Sequence, residues 1–118
     1  MSPLADDIYD ILRPRVPSVD GRIGYSEMIV ELPAVHGVEF PNDYRLNPAY
    51  SKIVTACRTL GLPPITAILV HFEGGRLSEP GDGYYEAAHS GVTDREQRSI
   101  LWARDWEEAQ RTTYPERI

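Results

Sequence analysis

The chain has 118 residues, which is long enough for one domain with its own apolar core and no disulfide or metal staples. Its 18 acidic and 12 basic residues give a formal net charge of −6, which argues against sequence-independent DNA binding, because that binding depends on Lys and Arg neutralising phosphates. The single cysteine excludes an internal disulfide, and the absence of a long apolar stretch or a signal-peptide pattern predicts a cytoplasmic protein.

Two prolines are expected to end the first two helices, because proline lacks the N–H that continues a helix. The first helix opens on Ser2 and Pro3, a cap followed by a proline at the first helical position, and ends at Pro14. The second opens around Tyr25 and ends at Pro33. The segment 34–47 contains many turn signals and is predicted to be a loop pinned to the core, and its role is left open.

A third helix is predicted from about residue 48 to residue 60, with Gly61 as the glycine that follows its C-terminus. Its apolar stripe includes Cys57. A thiol in such surroundings has a raised pKa and reacts slowly, so we expect Cys57 to be a packing residue and not a nucleophile.

The region after the third helix is predicted to contain sheet. The apolar run 65–70 has the composition of a strand that is covered on both faces. Gly74 and Gly75 are suited to the tight turn of a hairpin that follows. Tyr84 and Tyr85 are predicted to add a short strand or to begin a helix.

The last element is predicted to be an amphipathic helix. Thr93 and Glu96 have the spacing of a capping box, and Ile100, Trp102 and Trp106 lie within helical reach of one another. The acidic and arginine residues between them are assigned to a solvated face. These elements predict a single α+β domain over residues 1–118, winged-helix-like, with three N-terminal helices, a β-hairpin and a C-terminal amphipathic helix.

Two stretches resemble the DNA-binding domain of DNA-repair alkyltransferases. The sequence Gly-Tyr-Ser-Glu-Met at 24–28 is similar to the Thr-Tyr-Gly-Glu-Leu that begins that domain's second helix, and Gly-Arg-Leu-Ser at 75–78 is similar to its Gly-x-Leu-Ser hairpin. The resemblance implies a winged helix that binds DNA. The family's Pro-Cys-His-Arg nucleophile motif is replaced here by Pro-Ile-Thr-Ala at 64–67, so alkyl transfer is not implied.

A second resemblance is to a group of phage and defence-region proteins. These proteins share a Pro-Pro-x-x-Ala-Leu-Val strand and a Pro-Gly-x-Gly turn followed by two aromatic residues, and the corresponding segments here are 63–70 and 80–85. The resemblance implies an origin in a phage or mobile element.

The leading functional hypothesis is a small, acidic, non-enzymatic interaction module that binds a protein partner. One version is inhibition of a host nucleic-acid-handling complex through its basic surface. The residues expected to contact the partner are Tyr84, Tyr85, Glu79 and Asp82. No catalytic residue, metal or cofactor is expected, and the oligomeric state is left open.

The alternative is a DNA-binding winged helix that uses the exposed face of the third helix and the hairpin. The residues that would contact DNA are Arg45, Lys52, Arg58 and Arg76. Against this, the segment 63–92 contains four acidic residues and a single arginine, and such a wing would repel phosphates. A third hypothesis places an enzyme or metal site around His71, Glu73, Glu86 and His89, although no established ligand spacing supports it.

Overall fold

The computed structural model describes residues 1–18, 21–36 and 46–118, and the side chains of 33–36 lie outside this description. Within these residues the chain is an α+β fold with five α-helices and four short strands. The helices are α1 (Pro3–Leu12), α2 (Tyr25–His36), α3 (Asn47–Thr59), α4 (Asp82–Ala88) and α5 (Arg95–Gln110). The strands are β1 (Ile23–Gly24), β2 (Leu69–Val70), β3 (Phe72–Glu73) and β4 (Arg76–Leu77). Arg45 and most of the predicted loop 34–47 lie outside the described residues.

The first helix begins as predicted. Ser2 is the N-cap, its Oγ accepts a hydrogen bond from the Ala5 N–H at 3.3 Å, and Pro3 takes the first helical position. The helix ends at Leu12 and continues into a 3-10 turn, Arg13–Arg15. Its buried face packs against α2 and α3 and forms one side of the main core.

The prediction that Pro33 ends the second helix is wrong, because α2 runs on to His36. Proline has a fixed φ close to the helical value, so a helix can continue past it with the loss of one backbone hydrogen bond and a local distortion. The prediction for α3 is confirmed at its C-terminus. Gly61 has a φ of +70°, and the Leu62 N–H returns to the Cys57 carbonyl at 2.8 Å.

The apolar run 65–70 is a strand only in its last two residues. Ile65–Ile68 form a 3-10 turn, and only Leu69–Val70 pair with another strand, the parallel β1. All six residues of the run are buried. The pattern therefore reported correctly that the run is covered on all sides, but a continuous apolar run does not distinguish a strand from a buried turn.

The hairpin that the glycine pair predicts is confirmed. Strands β3 and β4 are antiparallel, with Phe72 opposite Leu77 and Glu73 opposite Arg76. Gly74 and Gly75 form the turn with φ values of +59° and +79°, which side chains other than glycine adopt rarely.

A fourth helix lies where the sequence left strand and helix open. Residues Asp82–Ala88 form α4, which packs against α3. The chain therefore has two helices after the hairpin, where the prediction has one.

The N-terminus of α5 differs from the prediction by one residue. Asp94 and not Thr93 is the N-cap, and its Oδ2 accepts a hydrogen bond from the Gln97 N–H at 2.9 Å. Ile100, expected on the apolar face, is 58% exposed. The buried positions of the helix are Trp102, Asp105 and Ala109.

Two tryptophans attach α5 to the rest of the fold. Trp102 Nε1 donates to the Ala67 carbonyl at 2.8 Å, and Trp106 Nε1 donates to the Gly21 carbonyl at 3.1 Å. The Arg22 guanidinium lies 5.4 Å and 5.1 Å from the centroids of the two indole rings. Of the helices in the described ranges, none has the length and apolarity needed to cross a membrane.

Candidate functional site

An open cleft of about 360 Å³ lies between the β3–β4 hairpin and the first turns of α5. We call it the hairpin cleft. Its acidic, basic and histidine lining residues are His71, Glu73, Glu79, Asp82, Arg95 and Arg98. The arginines come from α5, outside the segment 63–92, so the cleft has mixed charge and is less acidic than the sequence count suggests.

Arg98 holds one wall of the hairpin cleft together. Its Nη1 donates to Asp82 Oδ1 at 2.9 Å, its Nε donates to the Val92 carbonyl at 2.7 Å, and its guanidinium lies 4.9 Å from the centroid of the Tyr85 ring. Ser99, the next residue on α5, donates a hydrogen bond from its Oγ to Glu79 Oε1 at 2.7 Å. Two of the acidic residues predicted to contact a partner, Asp82 and Glu79, are thus already engaged within the fold.

Three exposed side chains, on the β3–β4 hairpin and at the start of α5, are not engaged in this way. Phe72 is 65% exposed although it is a large apolar residue. Glu73 and Arg95 are exposed, and within the described ranges their side chains have no hydrogen-bond or ion-pair partner. Glu73 and Arg95 line the hairpin cleft, whereas Phe72, the neighbouring residue on β3, is exposed outside this lining, because consecutive side chains of a strand point to opposite faces.

The expectation that Tyr84 and Tyr85 form an exposed contact patch is wrong. They are only 6% and 5% exposed, and their rings pack edge to face with centroids 5.2 Å apart. Burial raises the pKa of Tyr85 to about 12 and raises that of Tyr84 further, where the nearby Asp105 charge adds to the effect. Both tyrosines belong to a second small core, formed with Ala67, Val70 and Trp102.

A buried carboxylate lies behind these tyrosines. Asp105 is 3% exposed, and its Oδ2 accepts a hydrogen bond from the Tyr84 hydroxyl at 2.5 Å. His89 Nε2 lies 2.5 Å from the same oxygen, and an Arg104 Nη2 lies 3.5 Å from Oδ1. A carboxylate only accepts hydrogen bonds, so the His89 proton at this contact is on Nε2.

The prediction that Asp105 lies on the solvated face of α5 is wrong. Asp105 lies three residues after Trp102 and four before Ala109, which is the spacing of the buried stripe. The helical repeat counted from Trp102 indicates that Asp105 is buried. Aspartate as a residue type is usually exposed to solvent, and this favoured the wrong prediction.

The described basic residues of the DNA-binding alternative lie on two elements, Lys52 and Arg58 on α3 and Arg76 on the hairpin. Lys52 and Arg76 are exposed on α3 and on the hairpin. Arg58 donates an Nη2 hydrogen bond to the Ala87 carbonyl at 3.0 Å, which ties it to α4. Arg45 lies outside the described residues.

The histidine hypothesis is not supported by the geometry. His71 lines the hairpin cleft and lies 4.9 Å, ring to ring, from Tyr25, whereas His89 lines a different cavity. Glu86 is exposed on α4. In the described part of the chain, no group of three or more His, Cys, Asp or Glu side chains could hold a metal ion.

Cys57 is a packing residue, as predicted. It is completely buried on α3, and burial raises the pKa of its thiol.

In comparisons with known proteins, no family model, curated protein or solved structure matches the chain.

Proposed function

We propose that the chain is a non-enzymatic interaction module that binds a protein partner through the β3–β4 hairpin and the hairpin cleft. The observation that carries the proposal is the 65% exposure of Phe72 on a projecting two-stranded hairpin. Large aromatic side chains supply much of the binding energy at protein interfaces when a partner's pocket covers them.

The partner in this proposal presents a basic surface around an apolar pocket. The chain has a net charge of −6, and Glu73, the residue after Phe72 on β3, has a carboxylate without a partner in the described residues. Charge complementarity of this kind speeds encounter and sets orientation, while the buried ring supplies most of the affinity. The basic surface of a nucleic-acid-handling complex has this character, and inhibition of such a complex in the cytoplasm is the biological form of the proposal.

A winged-helix assignment is part of the same proposal. Its support is the element order, in which α1, α2 and α3 precede β2 and the hairpin. The phage or mobile-element origin rests on the resemblance of segments 63–70 and 80–85. In this assignment the hairpin is the wing, and it contacts a protein and not a phosphate backbone.

The test begins with a photo-crosslinking amino acid at position 72 in the native host, with position 30 as the matched control. Val30 is 70% exposed on α2, so the two positions are equally accessible. We expect a defined crosslinked protein from position 72 and none from position 30. Equal crosslinking from both positions would contradict the proposal.

The crosslinked protein is then purified and its affinity for the chain is measured by calorimetry. We expect Phe72→Ala to weaken binding by about 30-fold, because a central aromatic hot spot contributes about 2 kcal/mol or more. Val30→Ala is expected to stay within about twofold of the wild type, since scattered surface apolar residues carry little binding energy.

Titration with duplex DNA at two salt concentrations separates this proposal from the DNA-binding alternative. We expect no saturable binding. Tight binding that weakens steeply with salt, and that is lost in Lys52→Glu or Arg58→Glu, would contradict the interaction module and support a DNA-binding protein.

A further inference from the structure

A second cavity, of about 270 Å³, lies where α3 meets α4 and α5. Its polar lining is Arg58, His89, Arg104 and Asp105, and Val54 and Leu62 supply apolar wall. It shares no lining residue with the hairpin cleft. We call it the arginine cavity, and the inference drawn from it does not depend on the proposed partner interaction.

Both guanidiniums of the arginine cavity have donors to spare. An arginine carries five N–H donors. Arg58 uses one of them on the Ala87 carbonyl, which holds its guanidinium in place. Arg104 lies 3.5 Å from Asp105 Oδ1 and 3.9 Å from Glu108 Oε1, and these distances are too long for strong hydrogen bonds.

The carboxylate of Asp105 already accepts hydrogen bonds from a residue of the second core and from the neighbouring His89. Its Oδ2 accepts from the Tyr84 hydroxyl and from His89 Nε2. That contact leaves His89 Nδ1 without a hydrogen-bond partner in the described part of the chain. Among the lining residues two guanidiniums face one carboxylate, and the Glu108 carboxylate, 3.9 Å from Arg104 Nε, lies outside the lining.

We propose that the arginine cavity binds a small oxyanion, either inorganic phosphate or the phosphoryl group of a small monoester, through the guanidiniums of Arg58 and Arg104, with the His89 ring in the wall of the same cavity. The fork of donors on a guanidinium matches the geometry of phosphate oxygens, and hydrogen bonds between ionised groups are the strong ones. The volume falls below the roughly 300–1,000 Å³ of pockets for drug-sized ligands, so the ligand is small.

The experiment titrates the purified chain with inorganic phosphate, glycerol phosphate and acetate, followed by calorimetry and by NMR of the histidine rings. The first two probes distinguish a free ion from a monoester, and acetate reports a preference for any carboxylate. We expect saturable phosphate or glycerol phosphate binding tighter than acetate binding, with a shift of the His89 ring signal, assigned through His89→Gln. The His71 signal is expected to stay in place, because His71 lines the other cleft.

Arg104→Ala is the principal variant, because its side chain is 57% exposed and its loss should leave the fold intact. We expect it to weaken phosphate binding about tenfold, in line with the loss of a charge-assisted hydrogen bond. Arg58→Lys, which keeps the charge but loses the fork, is expected to weaken it by about the same factor.

The matched control is Arg111→Ala, which removes another exposed arginine that follows α5 and pairs with Glu107. We expect its phosphate affinity to stay within about twofold of the wild type, as for a distant surface charge that salt screens. An equal loss in Arg104→Ala and Arg111→Ala would overturn the proposal. So would the absence of saturable binding by folded protein, acetate binding as tight as phosphate binding, or a shift of His71 in place of His89.

Discussion

At the scale of single residues, Asp105 is the side chain on which the second core depends. Burying a carboxylate is costly unless hydrogen bonds and opposite charges compensate for the loss of water. Here the Tyr84 hydroxyl, His89 Nε2 and Arg104 converge on its two oxygens. These contacts join α4 and His89, the residue that follows α4, to α5 through one carboxylate. They explain how α4, a helix of only seven residues, is held in place.

We predict that Asp105→Ala lowers the free energy of unfolding by about 3 kcal/mol, because it leaves the buried Tyr84 hydroxyl without its acceptor and removes the partner of His89. Urea unfolding followed by circular dichroism measures the change. The matched control is Asp10→Ala on α1, which is exposed and should change the free energy by less than about 0.5 kcal/mol. Equal effects of the two substitutions would show that the Asp105 hydrogen bonds carry no net stability.

At the scale of elements, the N-terminus of α5 shows how neighbouring residues compete for one role. Thr93 and Glu96 have capping-box spacing, but Asp94 takes the N-cap position and accepts from the Gln97 N–H. The choice of Asp94 is consistent with the ranking of N-cap residues, in which aspartate precedes threonine, and with the favourable interaction of its charge with the helix dipole.

We predict that Asp94→Ala lowers the free energy of unfolding by about 1 kcal/mol, the usual cost of losing an N-cap. Thr93→Ala is the matched control, because Thr93 is exposed and adjacent, and we expect it to change stability by only a few tenths of a kcal/mol. Thermal and urea unfolding of both variants measures the difference. A larger loss of stability in Thr93→Ala than in Asp94→Ala would indicate that Thr93 is the N-cap, as the sequence predicts.

At the scale of the whole molecule, buried tyrosines contribute to the packing between distant parts of the chain. The Tyr9 hydroxyl donates to the Pro115 carbonyl, and the Tyr114 hydroxyl donates to the Pro63 carbonyl at 2.6 Å. These bonds attach the C-terminal tail to α1 and to the turn before the 3-10 segment. Burial raises the pKa of Tyr9 to about 12 and raises that of Tyr114 as well.

These shifts predict loss of stability at alkaline pH. Unfolded tyrosine ionises near pH 10.0, whereas Tyr9 and Tyr85 in the folded chain ionise near pH 12. Between these values the folded chain binds more protons than the unfolded chain. The stability from the buried neutral tyrosines is therefore fully present below about pH 10 and is lost as the pH rises through about 12.

A titration of the absorbance at 295 nm, with circular dichroism in parallel, measures this effect. We expect part of the tyrosine ionisation to appear only together with loss of the folded signal, and the free energy of unfolding of Tyr9→Phe to fall less steeply above pH 10. Ionisation of all seven tyrosines near their ordinary pKa in a chain that stays folded would contradict the prediction.

The sequence by itself determined the features that depend on neighbours along the chain. The Ser2 cap, the glycine after α3 and the Gly74-Gly75 turn were predicted correctly, because each rests on contacts or φ values within a few residues. The burial of Cys57 followed from helical spacing for the same reason.

Only the tertiary structure decided which side chains face the core and which charges meet. The parallel pairing of β1 with β2, the burial of Tyr84 and Tyr85, and the hydrogen-bond partners of Asp105 all depend on residues brought together from separate elements. The hairpin cleft and the arginine cavity belong to this second group. The free energy of a buried charge or ring is set by neighbours in space, and spacing along the chain reports those neighbours only within one helix or turn.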